Sequence, residues 1–218
     1  MQFRQVFPLH YLIYIGIIGA AFAIGLYRLR HKRTIQPVIG LLGITACSEI
    51  LCKVLAVTIH NNIPVYHVYQ PAQFTLWAVF FYRNLCSGWR KTVFPLWMAL
   101  FLFSILNTLA FQSLQVFPGN FTKLESVILM FWSFCLFSEF LDLPGRENIF
   151  LKSNFIICVA VMWFNLVSYL FFGLYNYYVS APELLRSLWN IHLFSNYTYY
   201  SLLLAAMLLK AESPAYES

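Results

Sequence analysis

The sequence predicts an all-α membrane protein: a single domain over residues 1–218, folded as a bundle of seven transmembrane helices with the N-terminus outside and the C-terminus cytoplasmic. Three observations carry this prediction. The chain is 61% hydrophobic and only 10% charged, whereas a soluble domain carries about 25% charged residues, so lipid has to serve as solvent for the apolar surplus. Seven mostly apolar runs each come near the roughly 20 residues that a helix needs to cross about 30 Å of hydrocarbon. Lysine and arginine gather on alternate connections, as they do in short cytoplasmic loops.

The elements follow in order. The first helix, about 9–27, stops at the cluster Arg28-Leu29-Arg30-His31-Lys32-Arg33. Ala21-Phe22-Ala23 has the small-x-small form of a signal cleavage site, but the basic cluster follows the apolar run instead of preceding it, which is the flank of a retained anchor. The second helix, about 37–60, ends at Asn61-Asn62 ahead of Pro64. The third, 64–84, ends before Ser87-Gly88, and the fourth, 93–112, before Pro118-Gly119-Asn120. The fifth, 122–141, is closed by Pro144-Gly145, the sixth, 154–176, by Ala181-Pro182, and the seventh runs over 184–209. Glycine, proline and asparagine clusters of this kind punctuate helices.

In a seven-pass arrangement the 28–33 cluster, Arg83, Arg90, Lys91, Arg146, Lys152 and Lys210 share one side, against Arg4, Lys123 and Arg186 on the other. That asymmetry sets the orientation and points to a plasma or inner membrane. The first three and last three helices would run in matching directions around an odd fourth span, the pattern of a parallel carrier repeat. The Pro-Gln signature of the sugar-carrier form is absent; Gln70-Pro71 has the reverse order.

Composition excludes several classes. The net charge of +6 would suit nucleic acid only as a clustered basic face with exposed aromatics, and here the basic residues sit in short loops, so nucleic acid is not an expected partner. Cys47, Cys52, Cys86, Cys135 and Cys158 stand singly in or beside apolar runs, as small core residues do. Tyr66, Tyr69, Trp89, Trp97, Tyr175, Tyr177 and Tyr178 lie near helix ends, where interfacial belts form. No retinal is expected: the seventh helix has no mid-span lysine, Lys210 lies at its end, and Lys53 is on the second.

Polar residues inside the spans carry the functional signal, because an ionisable group in hydrocarbon costs at least about 2.5–3.5 kcal/mol and therefore faces the bundle interior. On the second helix Glu49, Lys53 and His60 fall within about 40° of one another, with Glu49 placed to neutralise Lys53 one turn on. Asn154, Asn165 and Asn176 repeat at eleven-residue spacing on the sixth helix, with Ser168 and Tyr169 beside them, as groups that hydrogen-bond to a neighbouring helix. The third helix contributes His67, Gln70 and Gln73, and the seventh His192, Asn196 and Tyr199. The predicted ligand-binding set is Glu49, Lys53, Gln70, Gln73, Asn165 and Asn196. His10, His60, His67 and His192 belong to the outer part of the topology, and His60, His67 and His192 are the candidate ligands for zinc.

Ser48 and Glu49, with His192-x-x-x-Asn196, resemble part of the ceramidase and adiponectin-receptor type of seven-helix zinc hydrolase, in which a histidine pair at that spacing on helix 7 helps bind the metal. Asn196 replaces the second histidine here, and the third helix offers no aspartate.

Two functions follow as expectations. The first is a small-ligand receptor, sensor or carrier subunit with a polar intramembrane cavity, surrounded by membrane lipids; with the short tail 211–218 as its only C-terminal extension, a receptor of this kind needs a separate signalling protein. The second is a metal-dependent intramembrane hydrolase of lipid-like substrates, with the three histidines on zinc and Glu49 as acid or base.

Overall fold

Apolar runs of this length leave the backbone no water to bond to, so it closes its hydrogen bonds within helices. The computed structural model describes residues 9–141, 148–178 and 182–209, without the side chains of 173–178, 182 and 185. Arg4, Pro144-Gly145, Arg146, Ala181 and Lys210, and the side chains of Tyr175, Asn176, Tyr177 and Tyr178, lie outside the described residues.

Among the described residues the fold is all-helical, with seven long helices. They are α1 (Leu9–Leu29), α2 (Gln36–Thr58), α3 (Ile63–Asn84), α4 (Val93–Leu106), α5 (Gly119–Leu141), α6 (Ser153–Tyr178) and α7 (Pro182–Leu208). A single turn, Ser87–Arg90, precedes α4, and a 3₁₀ turn, Ile149–Leu151, precedes α6. Pro37 and Pro64 sit in the first turns of α2 and α3, where a missing N–H costs nothing. Most ends fall within two residues of the sequence reading, and three of the differences have a structural cause or exceed that. α2 stops at Thr58 because His60 adopts φ 56°, a left-handed conformation that terminates a helix. α5 starts at Gly119, one turn earlier than expected. α4 does not run as regular α-helix to residue 112: from Asn107 to Phe111 it widens into a π-helical turn.

Five segments are long and apolar enough to cross a membrane: Leu9–Leu29, Gln36–Thr58, Ser87–Phe111, Gly119–Leu141 and Ser153–Phe172. The two remaining long helices, α3 and α7, are the ones carrying His67, Gln70, Gln73 and Arg83, and Glu183, Arg186, Asn190, His192 and Asn196. Their polar content lowers their hydropathy; Gln70 is buried, His67, Gln73, Arg83, His192 and Asn196 are half-buried, and Glu183, Arg186 and Asn190 are exposed.

The helices pack in sequence as a closed ring, α1–α2–α3–α5–α6–α7 and back to α1, with α4 outside against α3 and α5. The six-helix ring, α4 aside, maps onto itself when α1, α2 and α3 are exchanged for α5, α6 and α7. Small residues bring the ring together. A β-carbon on Gly25 would stand 3.0 Å from Met207 Sδ and 3.1 Å from Ile39 Cγ1, so α1 meets α2 and α7 at contact distance there, and Gly43 makes room for the ring of Phe22. The interior is aromatic: Phe74 stacks on Trp132 at 5.6 Å and packs edge-on against Phe121, joining α3 to α5. At one end Arg28 donates to the Leu208 carbonyl at 2.6 Å, and Asn154 donates to Asn84 Oδ1 at 2.8 Å. At the other end, where α1, α3, α5 and α7 begin, the polar residues of interest collect.

Candidate functional site

Glu49 lies on α2, half-buried, facing α1. Its carboxylate Oε1 accepts from the Tyr14 hydroxyl at 3.1 Å, while the Tyr11 hydroxyl donates to the Glu49 backbone carbonyl at 2.8 Å. One turn earlier on α2, the buried Thr45 hydroxyl bonds that of Tyr69 on α3 at 2.8 Å. The ring of the buried Tyr200 of α7 packs edge-on against that of Tyr14, with centroids 5.4 Å apart. Groups from α1, α2, α3 and α7 thus gather beside the Glu49 carboxylate.

Beyond Tyr69 stands a second carboxyl, Glu125 on α5. It is 4% exposed, and its Oε1 finds no hydrogen-bond partner. The side chains of Tyr69 and Tyr199 are within its electrostatic reach. Sequence reasoning passed over Glu125. The signal was present: an acid inside a predicted span faces the interior by default, but the companions of Glu125 on α5, Thr122 and Ser126, are small hydroxyls rather than ionisable groups like those beside Glu49. Tyr69 was assigned to an interfacial belt, whereas its hydroxyl bonds Thr45 inside the bundle.

Several expectations are corrected. Lys53 does not neutralise Glu49: its ammonium lies over the Tyr11 ring, 5.5 Å from the centroid, and the carboxylate takes the neutral Tyr14 donor. Of the α6 asparagines expected to reach a neighbouring helix, Asn154 does so, to Asn84, whereas the Asn165 amide bonds back to Val161 O at 2.9 Å; Asn196 of the ligand-binding set bonds His192 O in its own helix at 3.2 Å. Ser48 likewise bonds Thr45 O in its own helix. Gln73 is half-buried. Where the sequence suggested a polar cavity beside Glu49, the rings of Tyr14, Tyr197, Tyr199 and Tyr200 pack against one another.

The three histidines proposed for zinc are not gathered, and no group of three His, Cys, Asp or Glu able to hold a metal occurs among the described residues. Each imidazole is committed elsewhere. His60 is the exposed helix terminator. His67 spends Nδ1 on Thr108 Oγ1 and Nε2 on Val116 O, both at 2.9 Å. His192 stacks on Phe171 at 4.9 Å with Phe164, Phe172 and Trp189 around it.

Gln70 alone of the predicted set lines a distinct cleft. It is shared with His67, Ser104, Asn107, Thr108 and Phe121, between α3, the π turn and the start of α5. No family model matches this chain, and no curated protein or solved structure is significantly similar to it.

Proposed function

We propose that this chain is an integral membrane protein of seven spans, N-terminus outside and C-terminus cytoplasmic in a plasma or inner membrane, working as a small-ligand receptor, sensor or carrier subunit. One observation carries the reading: two interior carboxyls, Glu49, which accepts from the Tyr14 hydroxyl of α1, and Glu125, buried with an unpartnered oxygen. Ionisable groups placed in a membrane bundle are costly, and they mark ligand or ion sites. Because α1, α2, α3, α5 and α7 all supply groups to this cluster, a ligand that binds there changes contacts across most of the ring, which is what a receptor or carrier requires. Lipid surrounds the bundle, a receptor of this form passes its signal to a separate protein, and nucleic acid has no part in it. The separation of the histidines removes the premise of a zinc hydrolase.

Two measurements test the reading. Single cysteines at Ser113 and Lys91, in a background whose five native cysteines are replaced, are to be labelled with a membrane-impermeant thiol reagent on intact cells. The seven-span orientation requires labelling at 113 and none at 91 until the cells are opened; the reverse result overturns it. A panel of small metabolites is then screened for a raised unfolding midpoint of the purified chain. A ligand of this site loses its effect in Glu49→Gln, while an undiminished response in that variant puts the ligand elsewhere.

A further inference from the structure

Three buried oxygens at the seam of α3, the π turn and α5 share a peculiarity: each accepts hydrogen bonds, each is more than nine-tenths buried, and none has a donor among the described residues. They are Gln70 Oε1, Asn107 Oδ1 and Glu125 Oε1. Unmade bonds at buried polar groups are costly, so such groups call for an occupant.

The amides cannot escape by turning over. Asn107 Nδ2 donates to Gln112 Oε1 at 3.0 Å, and that oxygen is fixed because the backbone N–H of Asn120 also donates to it at 3.1 Å. Gln70 Nε2 donates to Thr122 Oγ1 at 2.8 Å, while Thr122 commits its own hydrogen to Pro118 O at 3.2 Å. Both carbonyl oxygens are therefore held as unpaired acceptors. The amides of Gln70 and Asn107 line the cleft together with the hydroxyl oxygens of Thr108 and Ser104, and those hydroxyls already donate to Ser104 O and Phe101 O. Glu125, itself 4% exposed, lies one helical turn further along α5 than the Thr122 that holds Gln70. The π turn that puts Asn107 here is a feature often found at functional sites.

We propose that this seam binds a monovalent cation, with Glu125 as its counter-charge and the oxygens of Gln70, Asn107 and Thr108 lining its entry. An anion would find the amide N–H groups, the hydroxyl hydrogens and the His67 ring nitrogens of the cleft already engaged. A divalent ion would leave one uncompensated charge against a single carboxylate in hydrocarbon. A proton on Glu125 would satisfy one acceptor and leave the amide oxygens unpaired, whereas one positive charge balances one carboxylate and suits oxygen donors throughout. The inference deepens the receptor or carrier reading by naming an ion for its interior site, and it rests on that site lying within the membrane.

The test uses the full chain in detergent, with its unfolding midpoint followed by tryptophan fluorescence in sodium, potassium, ammonium or choline chloride at equal ionic strength. At least one of the small cations raises the midpoint over choline, by about 3–6 °C at ten times its dissociation constant; the three arms tell metal ions from ammonium. Glu125→Gln abolishes the difference and is no less stable than wild type in choline, because an amide needs no counter-charge. Should that variant fail to fold, Asn107→Leu supplies the same reading through a higher cation concentration for the half-effect. Equal midpoints in all four salts, or a cation response that survives Glu125→Gln, overturn the proposal. So does a protonated-carboxyl infrared band, lost in Glu125→Gln, that persists at the highest cation concentration. Thiol labelling at positions 113 and 91 is independent of all these outcomes, so failure of the ion site is distinguishable from failure of the membrane reading.

Discussion

The hydroxyl of Tyr14 meets the carboxylate of Glu49 at 3.1 Å, tying α1 to α2 by a neutral donor, while Lys53, one turn along the same helix, rests over the ring of Tyr11. The distinction is measurable. Tyr14→Phe removes the donor and lowers stability by about 0.6–2 kcal/mol, the range for side-chain hydrogen bonds between membrane helices. Glu49→Gln keeps an acceptor oxygen and costs less than Tyr14→Phe. Lys53→Met changes the midpoint little, since an exposed cation–π contact contributes about 0.5–1 kcal/mol and the methionine stem retains part of the packing. A larger loss in Lys53→Met than in Tyr14→Phe would restore the Glu49–Lys53 pair.

The helix limits were readable because the signals that end membrane helices are local: a basic cluster at 28–33, prolines at 37 and 64, and Pro118-Gly119. The site was readable only where polar residues repeat along one helix. The Glu49 stripe met that condition, but which partner answers Glu49 depends on α1, whose tyrosines look like interfacial residues in one dimension. Asn107 and Gln70 stand on different helices, and only the packing of α3 against the π turn puts them in one cleft. The histidines misled for the converse reason. Sharing one end of the topology fixes depth but not angular position around the ring: His67 bonds Thr108 and Val116, His192 stacks on Phe171, and His60 is exposed.

His60 is expected to act through its backbone. With φ at 56°, glycine at this position is tolerated or stabilising by up to about 1 kcal/mol, because it adopts the left-handed conformation without a β-carbon clash. Valine, branched at that carbon, destabilises. Thermal midpoints of His60→Gly and His60→Val check this; loss of stability in the glycine variant would show that the imidazole itself is needed.

His67 pins the segment 112–118 to α3, since its two ring nitrogens engage Thr108 in the π turn and Val116 in that connection. In His67→Ala, amide exchange across 113–118 should speed up while the middle of α3 stays protected, as local opening of one connection predicts. Unchanged exchange there would mean that the stack of Phe117 on Phe172, at 4.9 Å, suffices to hold the segment.

Asn154 and Asn84 join the ends of α6 and α3 through a buried amide pair at 2.8 Å, and Asn84 passes the chain on to Phe80 O and Thr34 O. A double-mutant cycle over Asn84→Ala and Asn154→Ala should give a coupling energy of about 0.6–1.7 kcal/mol. Additive effects of the two changes would reduce the asparagine stripe of α6 to separate residues.

Close approach of α1 depends on which glycine is replaced. At Gly25 an added β-carbon already meets Met207 and Ile39 at 3.0 and 3.1 Å, whereas at Gly16 nothing lies within 4 Å. Gly25→Leu therefore has to push α1 away from α2 and α7, with an overpacking cost of about 1–3 kcal/mol. Gly16→Leu extends into open space on the same helix, where leucine is also the better helix former. The first variant should lower the unfolding midpoint and the second leave it unchanged or raise it. Equal losses at both positions would mean that the outward face of α1 is covered by another protein surface in the purified material, and cross-linking of the Gly16 variant would then locate it.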